Sequence, residues 1–397
     1  MSWVIHYEEM ARHFITAGAQ WHHPIWRNST MLQLPGLGCY NAASLYLREF
    51  SVYKCLSGLI ALALLVIATA ASAEVVRGLH AATVPVANQG QAAMAAAAQE
   101  ALAEVVVKVS GSADALQNPV IAEALPGARS QVQQYAFARD DSLESGLSAR
   151  FEFGSAYVNG LLTDAGLPLW TANRPRVLVW VAVELNGERQ LVSSLDTPEL
   201  AAQVLVEFDR RGVPARLPLY DLRDATEVTL EDVWEQRGTD IVAASARYGV
   251  EDVLVGRAVV VSTGQWTGDW SYFSGPLRLD RSSNASAAGG FLQVGVNMVA
   301  EEMASRYAVA PSGAVDARVP MVVSGVLEFS DYTAIVNWLE SLELIEHANI
   351  QFIGGDRIEL GLDAGADATQ LATIIELNKR LQPVPGVPGE LVYQWTN

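Results

Sequence analysis

The stretch Asn173–Arg257 decides the fold. It opens with NRPRVLVWVAVE (173–184) and closes with ASARYGVEDVLVGR (244–257). Each end carries an apolar, β-branched run, 177–183 and 253–261. Such runs read as strands buried on both faces, in a sheet with helices above and below. Two segments of helical period lie between them, and Thr197-Pro198-Glu199 and Gly212 bracket the first as start and stop signals. The expectation is an α/β layer structure with a partly parallel sheet at the centre of the chain.

Outward from this core, the chain reads as α+β and α/β overall, in three small mixed sheet-and-helix domains. The first, 74–167, has a strand at 74–87, a long Ala-rich helix at 89–109, a helix starting at Asn118-Pro119, a hairpin at 135–139 and 147–153, and a helix ending at Gly166. Residues 168–175 read as a linker into the central domain, 168–309. There a short strand is expected at 217–222, helices at 229–234 and 241–248, antiparallel strands over 264–281, and a closing helix at 285–307. A Pro-, Gly- and Ala-rich linker at 310–320 leads to a βαββα domain, 317–397. Its hairpin is marked by Gly354-Gly355 and its edge strand is placed at 391–395.

Length supports several domains: 397 residues, half of them apolar and 18% charged. A net charge of −18 repels phosphate backbones and anionic lipid, which excludes nucleic acid as the expected partner. Residues 56–73 (LSGLIALALLVIATAASA) carry no charge, follow Arg48 and Lys54, and end in Ala71-Ser72-Ala73. That is the pattern of a secretory signal, with the cut between Ala73 and Glu74; the domain map assigns it 51–73. The alternative is an uncleaved inner-membrane anchor, the only membrane contact the sequence predicts. Residues 1–50 hold four of the six His and have no periodicity. They read as a poorly structured extension before a translation start near Met31 or the Val52 codon, which N-terminal sequencing of the precursor would check. Both Cys, Cys39 and Cys55, precede the cut, so the exported chain has no disulfide and no thiolate.

The sequence carries none of the familiar catalytic motifs. No G-x-S-x-G, H-E-x-x-H, Walker A, G-x-G-x-x-G or EF-hand pattern occurs, and His80 and His347 alone follow the leader. No catalytic residue, metal site or cofactor is assigned. Asp221, Asp224, Glu227, Glu231 and Asp232 could serve glycan hydrolysis if two faced each other across a cleft with Trp266 at its rim; at helix N-termini they would only suit the macrodipole. Trp266, Trp270 and Tyr272 fall on one face of a strand, either as a contact patch or against the closing helix. Arg174, Arg176, Arg247 and Arg257 flank the central strands, either to hold an anionic group or to pair with nearby acids.

Several segments together carry a resemblance: Ala101–Gly111, Ala165–Trp170, Asn173–Trp180, Ala244–Arg257, and Val323-Ser-Gly325 with Asp331-Tyr332. With these the chain resembles the bacterial envelope family called domain of unknown function 2066. The resemblance implies export and the domain layout; the family has no established catalytic residues to carry over. The central strand-and-helix is also similar, at the level of fold, to exported accessory proteins of flagellar or curli-secretion type, which act by binding within assemblies.

The expectation is a periplasmic, non-enzymatic protein that works by contact with envelope proteins, through the Trp266–Tyr272 hairpin or an exposed sheet edge. Two alternatives stand beside it: a carboxylate-dependent glycan hydrolase or glycan-binding protein, and a small-molecule module at the carboxyl ends of the central strands.

Overall fold

The computed structural model describes residues 74–140, 145–310, 318–385 and 390–396. The fold is mixed α+β. It has three sheets, two of them partly parallel, and a two-stranded ribbon. The expected leader and the 1–50 extension lie outside the described residues.

The N-terminal part runs β1 (Glu74–Val75), β2 (Ala81–Pro85), α1 (Gln91–Ser110), α2 (Pro119–Ala124), β3 (Val132–Arg139), β4 (Leu147–Phe153) and α3 (Ser155–Asp164). Its antiparallel sheet has the order β2-β4-β3. Buried positions of α1 recur three and four apart (Ala98, Ala101, Leu102, Val105, Val106, Val109) and pack on Val84, Ala149, Phe151 and Phe153. Gly111 ends the helix in the left-handed region, φ 81°, with its N–H donated to the Val107 carbonyl. A side chain there would strike Ala304 at 2.2 Å, so α1 docks closely on the closing helix of the central sheet. The single strand expected at 74–87 is broken in two. Gly78 turns the chain at φ 68°, so β1 pairs elsewhere while β2 joins the sheet.

The central part contains β5 (Asn173–Arg174), β6 (Val177–Leu185), β7 (Glu188–Leu191), α4 (Pro198–Arg210), β8 (Ala215–Arg216), α5 (Leu222–Glu227), α6 (Leu230–Trp234), α7 (Gly238–Ser245), β9 (Asp252–Val260), β10 (Trp266–Ser274), β11 (Leu277–Ala285) and α8 (Ala288–Tyr307). The sheet order is β11-β10-β9-β6-β7, with β8 also on β6. β6 runs parallel to β9 and β8; the other pairings are antiparallel. Along β6, Val177, Val179, Val181 and Val183 enter a core under α4 and α8, while Leu178, Trp180 and Ala182 enter a second core with Val228, Val233 and Ile241. Burial on both faces is what the unbroken apolar run requires. No strand forms at 217–222. Pro218 has no ladder donor, Tyr220 sits at φ 51°, and Asp221 caps α5 instead.

The C-terminal part runs β12 (Val319–Ser324), α9 (Phe329–Glu340), β13 (Ile345–Gly354), β14 (Arg357–Ala364), α10 (Ala368–Leu377), β15 (Leu381–Pro383) and β16 (Leu391–Trp395). The sheet order is β13-β14-β12-β16-β15. β16, expected at the edge, is interior: it pairs with β12 in parallel and β15 antiparallel, and Leu391 and Tyr393 are buried. The three-residue β15 is too short to show a period, which is why the sequence hid it.

Residues 168–175 are not a free tether. Leu169 bridges Val309, Trp170 is fully buried, and β5 pairs with β1.

Candidate functional site

The aromatic and basic residues singled out from the sequence divide sharply once their surroundings are known. Trp270 and Tyr272 are in the core. In the β9–β10 register Trp270 lies opposite Gly256, and α8 presents Gly295 to the other side of the indole. A Cβ on Gly256 would stand 2.3 Å from the ring and one on Gly295 2.4 Å. The indole fills the space two glycines leave, and its Nε1 donates to the Phe291 carbonyl at 3.1 Å. The Tyr272 hydroxyl donates to Asp252 at 2.5 Å, and burial raises the pKa of both groups. Trp266 is half-buried against Phe291, ring centres 5.9 Å apart. The aromatic face offered as a contact patch is therefore largely spent on the packing of α8, with Trp266 alone of the three partly exposed.

Arg174 is fully buried and holds no anion. All five of its N–H donors reach backbone carbonyls: Nε to Thr171, Nη1 to Arg211 and Gly212, Nη2 to Lys108 and Trp170, at 2.7–3.2 Å. Lys108 lies in the last turn of α1, and Arg211 and Gly212 follow α4, so two helix C-termini point their negative ends at one guanidinium. Its plane stacks on Trp170 at 3.7 Å. Burial pulls its pKa down to about 9, which leaves it charged at neutral pH. Gly212, at φ 65°, has no room for a side chain: Lys108 and Arg174 lie 2.7 and 2.8 Å from where a Cβ would be. Arg174 thus ties the N-terminal helix, residues 170–171 and the central layer together.

Arg257 binds Asp269 at 2.9 Å and the Trp234 carbonyl at 3.1 Å. Arg176 lines a cleft of about 290 Å³ with Asp252, Tyr307 and Lys379, between the central sheet and α10. That cleft is at the amino ends of β6 and β9, opposite to where a doubly wound site would sit. The carboxyl end of β6 turns directly into β7 through Asn186-Gly187.

The acidic cluster is fully engaged. Asp221 caps α5 and takes two bonds from Arg247, which hold its carboxyl well below the usual range. Asp224 is completely buried, accepting from Arg247 at 2.9 Å, the Tyr220 N–H at 2.8 Å and the Tyr248 hydroxyl. Burial, helped by that bond, pushes the Tyr248 pKa up to about 12. Asp232 closes a capping box with Thr229 and binds Arg237; Glu227 pairs with Arg223 and Glu231 with Arg189. These acids lie on the helices that cover one face of the central sheet, while Trp266 faces α8 on the other. No two of them meet across a cleft with Trp266 at its rim. Among the described residues no group of acidic, His or Cys side chains is placed to hold a metal ion, and no helix is long and apolar enough to cross a membrane.

One end of the C-terminal sheet is uncovered. β13 is an edge strand, and its segment Asn349–Gly354 (NIQFIG) bears no charge. Ile350, Phe352 and Ile353 are 43%, 53% and 52% exposed. The Val326 N–H bonds to the Asp356 carbonyl in the hairpin turn, and Leu327 and Phe329, which follow, are 79% and 83% exposed. Phe352 faces the uncovered side of the sheet, opposite Glu359; Ile350 and Ile353 face the helix side, opposite Leu360 and Ile358. A register shift between Ile350 and Phe352 accounts for the change of face. Scattered apolar side chains are ordinary on a surface, but three within four residues at the end of an edge strand are less so. Sequence reading missed this patch because a run such as NIQFIG looks the same whether or not a neighbour covers it.

One family match bears on the chain. Residues 73–171 match a domain of unknown function (DUF8605). That segment is the N-terminal sheet, α1–α3 and the residues through Thr171. It is an uncharacterised domain, as the sequence reading expected, but not the family whose motifs the sequence resembles. Comparison with curated proteins gives no match.

Proposed function

We propose that this chain is an exported protein of the bacterial cell envelope, related to the domain of unknown function 2066 family, and that it works by protein–protein contact rather than by catalysis. We place the contact at the free edge of β13, with an extended segment of an envelope protein as the occupant. One observation carries this reading. An edge strand exposes a row of backbone donors and acceptors, and folded proteins usually blunt such edges with charge, proline or cover. Here the last six residues of the edge carry no charge, and three of them, Ile350, Phe352 and Ile353, are exposed apolar side chains. Strand addition uses this combination: main-chain bonds for affinity and alternate side-chain pockets for selectivity. Export is supported by the leader pattern, whose cut falls where the matched domain begins.

The hydrolase alternative needs two acids free for chemistry, and those of 221–232 are tied to arginines or caps. The experiment is native-size analysis of envelope extracts from cells carrying the full chain or its Ile350→Lys and Phe352→Lys variants. The wild type should migrate in a complex, and each Lys variant should shift to the size of the free chain while keeping its unfolding midpoint. A wild type that migrates as free chain, or variants that stay in the complex, would refute the contact reading.

A further inference from the structure

The β13 edge is guarded along one half and open along the other. We propose that Glu340 stops an added strand at Ala348, so that the occupant pairs with 349–354 and not with the first half of β13; this rests on the contact reading of that edge.

One hydrogen bond carries the inference. The Ala348 N–H donates to Glu340 Oε1 at 3.1 Å. A backbone amide has a single hydrogen, so this one is not available to a second strand. Among the described residues β13 has β14 on one side and no strand on the other. Glu340 is not on β14; it is the last residue of α9, and its side chain reaches from the helix face to the edge strand. From Ala348 to Ile350 the register is regular, against Leu362, Gly361 and Leu360. In an antiparallel ladder, residues two apart turn their backbone groups the same way. Ile350 therefore turns its N–H and carbonyl to the same open side as Ala348.

Two further features agree. A carboxylate in the last turn of a helix faces the negative end of the helix dipole, so Glu340 is poorly placed for α9 itself. Capping the edge donor gives that position a use. Charge also gathers on the same half of the strand. Glu346 and His347 lie there, with His347 Nδ1 3.9 Å from the Glu340 carboxylate, whereas 349–354 bears no charge. Charged side chains are a common guard on sheet edges, and here they protect one half only.

The occupant's chemistry follows. The open half spans roughly 20 Å at about 3.3 Å per residue, which suits an extended segment of about six residues. Its side chains on the helix side meet Ile350 and Ile353, 43% and 52% exposed, and so are apolar. The residue that meets Glu340 is not acidic, because like charges brought together across strands destabilise the pairing.

The test is photo-crosslinking in living cells from the full chain, with the photoreactive residue at position 352 or at 346, an exposed position in the guarded half. With Glu340 present, position 352 should give an adduct and position 346 about tenfold less of it or none. Glu340→Ala frees the Ala348 donor, and the adduct from 346 should rise to within about threefold of that from 352. Glu340→Gln keeps an acceptor oxygen without the charge and should leave 346 silent. The adduct from 352, retained in both variants, reports that they fold. A strong adduct from 346 with Glu340 present, no gain there in Glu340→Ala, or the same gain in Glu340→Gln would each overturn the role of Glu340 and leave the β13 contact standing. No adduct from 352 with Glu340 present would refute the contact itself, and the stop with it.

Discussion

At the scale of single residues, Arg174 shows why a charged side chain near a strand was legible and its role was not. Its position and type were evident from NRPR, and pairing with an acid or an anion were the natural readings. The structure chooses neither, because its partners are carbonyls of residues 37, 38 and 66 positions away, and a sequence does not show where two helices end together. Arg174→Met would leave those carbonyls buried without donors. We expect urea unfolding to show a loss of about 3 kcal/mol or more, with Arg174→Lys recovering only part, since an ammonium has three donors and no planar fork. Asp221 makes the matching point for acids. Its carboxyl is held below its ordinary value of 3.8, first by the hydrogen bonds from Arg247. A depressed folded pKa stabilises the protein above the unfolded value, and the contribution is lost as pH falls through the folded one. Stability should therefore drop as pH is lowered below about 4, and Asp221→Asn should drop less steeply over that range. Equal slopes in paired acid titrations would count against the Arg247 bond.

Elements were the most legible level. The two-faced burial of β6, the period of α1, the hairpin at Gly354-Gly355 and the close of α8 all follow from pattern, since each is long enough to show its repeat. The losses were short or interrupted pieces: β1 cut from β2 by Gly78, β15, and the supposed strand at 217–222. The aromatic strand β10 was legible as a face, but which of two uses that face had depended on Gly256 and Gly295, more than twenty residues apart from each other in sequence. These glycines test the packing of α8 on the sheet. Gly295→Ala should cost about 1–3 kcal/mol by overpacking the indole, and Trp270→Leu in the same chain should recover part of it, giving a nonadditive double-mutant cycle. Additive losses would mean that α8 shifts without meeting the ring.

For the whole molecule, the sequence reading reached a mixed fold with a partly parallel central sheet, and the structure has one. It could not reach the proposed contact, because an edge without a neighbour is a statement about tertiary surroundings. Arg174 and Gly111 bind the N-terminal helix to the central layer. The most direct test of the contact reading is photo-crosslinking in living cells from an amino acid placed at Phe352 and, in turn, at Val206, an equally exposed apolar position on α4. The account predicts one discrete adduct from residue 352, lost when Ile350→Lys is added, and none from residue 206. No adduct at 352, or the same adducts from both positions, would contradict it.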